Sequence, residues 1–381
     1  MLRCNILSIF LAFSLLAGAQ DWKVVRENPQ KAFPKIVAAG NYSGIAHLHD
    51  DIYAVVSDKS DSALYFNFRI QMNPKTGELE QVENLGFTER TDGTLNDGKF
   101  WQGQEKGFDH EAIVKASDST LVITSEGYCR LKEYPVLPTS ANAPKISYQQ
   151  NLWESRWPSS DFYPNYNFES LAFDSVRQYL WTIPESTLRK DGQPATPQNG
   201  LANQLRLMRL NWGKIKENRN KEEYSEEVSS KKASRYMTAY AYQMDQPSTH
   251  KKADIYVMGV SELCALPDGQ LLVLEREAFI PKIKIGAFCK CKLYLINPLN
   301  SEEFSMKENF SSDTPFLKKR LLAEWKTGLS LSKRSFANYE GMCLGPKLED
   351  GSQVVILLSD SQDQYAGVLK DWFKTIVIRK E

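Results

Sequence analysis

The chain has 381 residues, of which 42% are hydrophobic and 11% aromatic, and its 47 basic residues balance its 47 acidic residues. A neutral chain without a basic stripe excludes nucleic acid or an anionic membrane surface as a partner recognised by charge. This length permits two or three domains, but a β-propeller of this size folds as one unit. We therefore expect residues 20–381 to form a single domain.

The first 19 residues have the pattern of a secretory signal peptide. Arg3 supplies a short positive region, the run from Ile6 to Leu16 is apolar, and Ala17-Gly18-Ala19 fits a small-residue cleavage site. This run is too short to span a bilayer comfortably, and Gln20 stands where a bacterial lipid anchor would need a cysteine. The sequence predicts cleavage after Ala19, no membrane anchor, and a mature protein in the periplasm or outside the cell.

Five segments further along the chain share one pattern. In each, a small or acidic residue precedes an apolar one on a short strand, a turn follows, and a second, strongly apolar strand ends in an acidic residue. The segments are Tyr42 to Asp58 (YSGIAHLHDDIYAVVSD), Phe108 to Gly127 (FDHEAIVKASDSTLVITSEG), Asn167 to Ser186 (NFESLAFDSVRQYLWTIPES), Gly259 to Glu277 (GVSELCALPDGQLLVLERE) and Asn338 to Asp360 (NYEGMCLGPKLEDGSQVVILLSD).

These hairpins recur every 60 to 90 residues or so, and a hairpin cannot bury both faces alone, which predicts a radial array of packed sheets. The fold class that we expect is all-β: a β-propeller with four-stranded antiparallel blades around a central channel. Six blades are favoured and five are possible. A sixth blade would come from the divergent stretch between Leu201 and Asp254, or be divided between the two termini.

Carboxylates recur at two positions of this pattern. The early position holds Gly44, Glu111, Glu169, Glu262 and Glu340; the late position holds Asp58, Glu126, Glu185, Glu275 or Glu277, and Asp360. Inner strands of a propeller border its channel, so these groups are predicted to converge, and like charges that converge raise one another's pKa unless a cation intervenes. Ca²⁺ prefers oxygen ligands. The predicted metal ligands are Glu111, Glu169, Glu262, Glu340 and Asp360.

Basic residues lie beside the late positions. Lys59, Arg130 and Arg276 can neutralise the acidic ring or bind a phosphate or carboxylate of a substrate. His110, next to Glu111, can transfer a proton near neutral pH, although a packed histidine between blades explains it equally well.

The five quoted segments, in this order, resemble the phytase-like family, which is described as having esterase-like activity. The stretches LPDGQLLVLERE and NYEGM are its most specific pieces. The resemblance implies a bacterial exported β-propeller that hydrolyses a small phosphate or carboxylic ester, with Ca²⁺ by analogy with propeller phytases, and we expect a monomer. Carried over residue by residue, it points to Glu111, Glu169, Glu262, Arg276 and Glu340. We predict catalysis by Glu111, Glu169, Arg276 and His110, and substrate binding by Arg130, Lys59 and Glu277.

Two alternatives remain open in the sequence. A serine esterase would use Ser43 or Ser261 with His110, although no G-x-S-x-G stretch is present. A non-catalytic propeller would bind a glycan, a peptide or a cell-envelope partner, and the aromatic run from Trp153 to Phe168 could stack on a sugar. The five cysteines that follow the signal segment are predicted to be buried thiols, with a zinc site disfavoured.

Overall fold

The computed structural model describes residues 21–60, 63–89, 95–96, 109–136, 153–219, 236–330, 334–362 and 369–381; the predicted signal peptide lies outside them. The described chain forms five antiparallel sheets. The prediction of an all-β propeller with four-stranded antiparallel blades is confirmed.

The first three blades follow one another in the chain. Blade 1 contains β3 (Tyr42–His49), β4 (Ile52–Ser57), β5 (Ala63–Met72), β6 (Leu79–Glu89) and a short fifth strand, β7 (Leu95–Asn96). Blade 2 contains β8 (His110–Ser117), β9 (Thr120–Ser125), β10 (Arg130–Pro135) and β11 (Glu154–Arg156). Blade 3 contains β12 (Ala172–Asp174), β13 (Tyr179–Thr182), β14 (Gln204–Asn211) and β15 (Met237–Gln243).

The last two blades complete the ring. Blade 4 contains β16 (Ile255–Ala265), β17 (Leu271–Ile280), β18 (Phe288–Ile296) and β19 (Lys319–Gly328). Blade 5 contains β20 (Asn338–Lys347), β21 (Gln353–Asp360), β22 (Trp372–Lys380) and, from the other end of the chain, β1 (Trp22–Glu27), with β2 (Lys31–Ala32) also paired to β22. The helices of the described chain are α1 (Trp212–Arg219) and two short 3₁₀ turns, Ser159–Asp161 and Pro298–Asn300.

The first strand of each blade lies at the centre of the ring. In the order β3, β8, β12, β16, β20, each of these strands contacts the next, and β20 contacts β3. The ring is closed by β1, which pairs with β22 in blade 5 and so joins the two ends of the described chain in one sheet.

The blade number corrects the favoured count of six. The stretch between Leu201 and Asp254 supplies β14 and β15, which pair with β13 and complete blade 3 instead of forming a further blade. The fifth blade is the one divided between the termini.

The core lies between neighbouring blades. Five hydrophobic clusters fill these gaps, and each joins residues of two adjacent sheets, as with Leu207 of blade 3 and Leu271 of blade 4. The inner strands are covered on both faces, so β4 and β21 are buried along their whole length. This explains why their sequences, IYAVVS and QVVILLSD, are nearly continuous apolar runs.

All five cysteines of the described chain are free and buried, as predicted. Within the described residues, no helix combines the length and the apolar character needed to cross a membrane.

Candidate functional site: an acidic cavity at the propeller axis

A repeated irregularity occurs in the inner strands, and in blades 2 and 5 the residue within it, Glu111 or Glu340, lines the axial cavity. Pairing of the first hairpin skips one residue in blades 1, 4 and 5, and these residues are Ser43, Ser261 and Glu340. In blade 2 the pairing is interrupted between His110 and Ile113, where Glu111 lies. Such β-bulges redirect a side chain and are frequent near functional sites. The residue after the bulge, in contrast, packs against a neighbouring inner strand.

A second repeated feature fixes the end of the next strand. The backbone N–H of Asp58 donates to the carbonyl of Asn41 at 3.2 Å, that of Glu126 to Asp109 at 2.8 Å, and that of Glu185 to Asn167 at 2.8 Å. In three blades, therefore, the late acidic residue is bonded to the residue just before the inner strand or its equivalent segment. Both hairpin ends consequently meet at the same place beside the axis.

These residues surround a cavity of about 510 Å³. Seven carboxyl groups line it: Asp58, Asp109, Glu111, Glu126, Glu169, Glu185 and Glu340. The basic side chains on its wall are Lys59, Arg276 and Lys284. The prediction that acidic hairpin ends from separate blades lie around one space describes this arrangement.

Arg276 pairs with three carboxyl groups of the ring, and we call this set the guanidinium half (Arg276 with Glu169, Glu185 and Glu340). One terminal nitrogen, Nη2, donates to Glu169 at 3.0 Å and to Glu185, while Nη1 donates to Glu340 and, at 3.1 Å, to Asn338. Arg276 and Glu185 are almost fully buried. Glu169, the charged residue in an otherwise apolar segment, is therefore met by a guanidinium group from blade 4.

A second group of acids in the ring is formed by Asp58, Asp109 and Glu111, and we call it the aspartate half. Carboxylate oxygens of these three residues all lie within 4.8 Å of one another. The basic group that pairs with Asp58 is Lys59, at 3.8 Å. The Oδ1 atom of Asp58 is buried and has no hydrogen-bond partner among the described residues. The spacing and the unsatisfied oxygen fit a divalent cation with oxygen ligands.

Burial and mutual repulsion raise the acid pKa values. Burial, then the charges of Asp58 and Asp109, raise the pKa of Glu111 well above its usual range. Burial, followed by the neighbouring Glu169, raises the pKa of Glu126 to about 8. In the guanidinium half, burial raises the pKa of Glu185 to about 7 and that of Glu340 to about 7, with Arg276 opposing both shifts. Protons can therefore be exchanged here near neutral pH.

The residues predicted from sequence divide between the cavity and its surroundings. Glu111, Glu169, Glu340, Arg276 and Lys59 line the cavity. Asp360 lies just behind the wall, where it is buried and where burial, followed by the charge of Glu340, raises its pKa to about 7.

Four further predicted residues lie outside the cavity wall, in addition to Asp360. His110 is buried and packs edge-on against Tyr134, with 6.1 Å between ring centroids. Arg130 is buried beside Glu154 at 3.5 Å, with its guanidinium over the Tyr128 ring.

The other two follow from strand geometry. Glu262 is the residue after a bulge, and its Oε1 accepts the N–H of Leu171 in blade 3 at 2.8 Å. Glu277 faces the opposite side of β17 from Arg276, and it accepts hydrogen bonds from the Tyr256 hydroxyl at 3.0 Å and the Ser248 N–H at 3.0 Å.

The two alternatives find little support in the geometry. The Ser43 hydroxyl donates to the backbone carbonyl of His110 at 2.7 Å, and the Ser261 hydroxyl to that of Leu274 at 3.4 Å, so neither is directed at an imidazole. In the predicted stacking loop, Trp153, Phe162 and Phe168 are buried in the cluster between blades 2 and 3. These three rings pack the fold, whereas Trp157, Tyr163 and Tyr166 of the same run are partly exposed.

Asp109 is the cavity residue that the sequence pattern did not identify. It precedes β8 with a φ of 48°, a left-handed conformation that aspartate tolerates better than most residues. Asn41, before β3, has a φ of 47°. The sequence signal that could have identified Asp109 is a polar residue just before the inner strand, which is Asn41 in blade 1 and Asp109 in blade 2.

Gly44→Ala is expected to lower the free energy of unfolding by about 2 kcal/mol because it overpacks the inner ring. A Cβ at this position would lie 2.5 Å from the carbonyl oxygen of Glu111 and 2.8 Å from Cα of Ala112. The backbone that carries Glu111 would have to move. Urea denaturation measures the loss, with Gly213→Ala as control, where the nearest atom to a Cβ is 3.4 Å away. Equal stability of the two variants would contradict the close approach.

Among known proteins, this chain has remote structural similarities and one family match. No curated protein is similar enough to count as a match. Among solved structures, streptogramin B lyase shares 10% identity, with 93% of this chain and 98% of that chain covered, at a TM-score of 0.32. A member of the DUF4221 family from Bacteroides vulgatus shares 7% identity, with 95% and 100% covered, at a TM-score of 0.35.

The family model described as "Phytase-like: Esterase-like activity of phytase" matches residues 37–362. This span runs from the segment before β3 to the residues after β21, and it includes every carboxyl group of the cavity wall. The chain belongs to the phytase-like family.

Proposed function

We propose that this protein hydrolyses a small phosphate or carboxylic ester in the axial cavity. The observation that carries the proposal is the convergence of seven carboxyl groups from four blades on one cavity, where Arg276 contacts three of them. A ring that only held the blades together would have no reason to place several acids with raised pKa values on the wall of a cavity. Membership of a family described by esterase-like activity supports the same class of reaction.

The guanidinium half supplies acid–base chemistry in this proposal. Burial, followed by the charge of Glu185, raises the pKa of Glu169 well above its usual range, so in this proposal the two carboxyl groups share a proton. With the pKa of Glu185 at about 7, the pair can take a proton from water and give one to the leaving oxygen. Arg276 holds the carboxyls in position; because its terminal nitrogens are already engaged, we assign it positioning in preference to direct contact with substrate.

The aspartate half would hold a Ca²⁺ ion. Asp58, Asp109 and Glu111 provide three oxygen ligands from two blades, and Lys59 stands beside them for an anionic group of the substrate. Bound there, Ca²⁺ would act as a Lewis acid that polarises the ester oxygen. The N-terminal apolar segment supports action outside the cytoplasm, in the periplasm or beyond it.

Turnover of p-nitrophenyl phosphate and p-nitrophenyl acetate, with Ca²⁺ or with a chelator, tests the proposal. We expect Glu169→Gln to lower kcat by at least about 100-fold, because it removes the acid–base pair. Glu111→Gln should raise the Ca²⁺ concentration needed for half-maximal rate. Glu277→Gln, the same change on the opposite face of β17, should retain wild-type rates. No turnover of either substrate by folded wild-type protein, or equal rates in all three variants, would refute hydrolysis at this site.

A further inference from the structure

The wall of the cavity above Arg276 is apolar. On the hairpin of β16 and β17, Gly259 is paired with Arg276, Val257 with Ala278, and Ile255 with Ile280. Residues two apart on a strand, and residues directly opposite in an antiparallel pair, project from the same face. On one face of this hairpin, the guanidinium of Arg276 is therefore followed along the strands by the pair Val257 and Ala278, and then by the pair Ile255 and Ile280. We call Ile255, Val257, Ala278 and Ile280 the apolar strip.

The apolar strip belongs to the cavity and continues to its mouth. All four of its residues line the cavity, and so do Leu329, Phe336 and Leu369. From Arg276 to Ile280 the strand advances by about 13 Å. Ile255 at the far end is 50% exposed, and Ile283, in the turn after β17, is 75% exposed. A single exposed isoleucine is ordinary on a protein surface. A continuous apolar row that leads from the acid ring to solvent is unusual.

The charge of the opposite wall restricts what such a strip can accept. The three basic side chains of the cavity are each paired with a carboxyl group already, Arg276 with Glu169, Lys59 with Asp58 and Lys284 with Asp254, so little free positive charge is left to bind a multiply charged anion. A neutral ester group is not repelled, and an apolar chain attached to it would displace water from the strip.

We propose that the substrate is a neutral carboxylic ester with an apolar acyl chain, and that the apolar strip binds this chain while the ester group lies near Arg276 and the acid ring. The rate measurements that test this inference rest on the proposed hydrolysis. The binding measurements do not. The apolar strip sets which acyl-chain length the protein prefers, because each methylene that enters a hydrophobic pocket changes the ratio of kcat/KM values between two substrates severalfold or more.

The rate test compares p-nitrophenyl octanoate with p-nitrophenyl acetate. We expect kcat/KM of wild-type protein to be at least about tenfold higher for octanoate. The double variant Val257→Thr with Ile280→Thr keeps β-branched shapes but adds hydroxyls, and it should lower the octanoate-to-acetate ratio about tenfold or more. The single variant Ile255→Thr, at a half-exposed position, should lower it less and guards against misfolding of the double variant. Val25→Thr, an exposed valine on β1, is the matched control and should leave the ratio unchanged.

The binding test needs no turnover. Octyl methyl ketone and ethyl methyl ketone are neutral mimics of the ester that cannot be hydrolysed, and calorimetry measures their affinity below the solubility limit of the longer one. We expect the octyl compound to bind more tightly to wild-type protein and to lose this advantage in the double variant. Should ketone preference follow the strip without any ester being cleaved, the strip binds an apolar chain as inferred, and the proposed hydrolysis is what fails. Equal affinity for both ketones, or a preference that survives the double variant, overturns the inference.

Discussion

Arg276→Met is expected to lower the free energy of unfolding by about 3–5 kcal/mol at pH 8, the cost typical of removing one partner of a buried ion pair. The guanidinium contacts Glu169, Glu185 and Glu340, and its side chain is 3% exposed. Without it, carboxylates from blades 3 and 5 are left next to each other at the axis. These carboxylates must then repel one another or take up protons.

The same variant should be less destabilised at pH 5. Burial raises the pKa of Glu185 and of Glu340 to about 7 even with Arg276 present. At pH 5 both groups are therefore largely protonated, and the loss of the cation leaves less uncompensated charge. Turnover should fall at every pH, because the acid–base pair loses the group that positions it.

Two further variants separate charge from packing. Arg276→Lys keeps the charge but replaces a planar fork with a single ammonium group, so it should recover part of the stability and little of the activity. Arg320→Met removes an exposed arginine paired with Asp21 at 2.8 Å and should cost under about 1 kcal/mol. Urea denaturation at the two pH values gives all these quantities. A loss for Arg276→Met that is the same at pH 5 and pH 8 would show that the guanidinium matters for packing and not for charge.

The propeller architecture could be predicted from the sequence because each inner hairpin is buried on both faces. That burial imposes strongly apolar second strands, such as LLVLERE and VVILLSD, and the strands recur along the chain. The blade count was less accessible. In blade 3, more than twenty residues separate β13 from β14 and again β14 from β15, so local pattern could not show that these strands pair.

The acidic ring was predicted as a set, but single residues were misplaced by one position or one face. Aligning Gly44 with Glu111 treats the small residue after the bulge as the residue within it; the residue in the bulge of blade 1 is Ser43. The same shift brought Glu262 into the set. At the late position of blade 4 the cavity residue is Arg276, and the neighbouring Glu277 is directed away because side chains alternate along a strand. Bulges have no reliable signature in a single sequence.

Wild-type protein is expected to lose stability as the pH rises from about 5 to about 8. Burial raises the pKa of Glu185, Glu340 and Asp360 to about 7, and that of Glu126 to about 8. The unfolded chain releases these protons near pH 4, so between pH 4 and pH 8 the folded state binds more protons than the unfolded state. Stability therefore decreases with pH in this window, by up to about 1.4 kcal/mol per pH unit for each such group.

Calcium should reverse this loss if the aspartate half binds it. At pH 8 an excess of about 100 times the dissociation constant stabilises the folded state by about 2.7 kcal/mol, because the ion binds that state alone. At pH 5 the shift should be much smaller, since burial, followed by the charges of Asp58 and Asp109, raises the pKa of Glu111 and protons then compete with the cation. Thermal denaturation over the pH range, with Ca²⁺ and with chelator, measures both effects.

Asp58→Asn should flatten the pH dependence and remove most of the calcium shift, since it takes one charge from the aspartate half and replaces a carboxylate ligand with a neutral amide oxygen, while keeping the side-chain shape. Asp174→Asn is the matched control: Asp174 is paired with Arg177 at 3.0 Å in the turn between β12 and β13, away from the cavity. It should leave the calcium shift as in wild type. A Tm that stays level or rises between pH 5 and pH 8 would contradict the proton count of the acid ring. A calcium shift that persists in Asp58→Asn would place the cation elsewhere, because three carboxylates within 4.8 Å cannot lose one member and bind a divalent ion equally well.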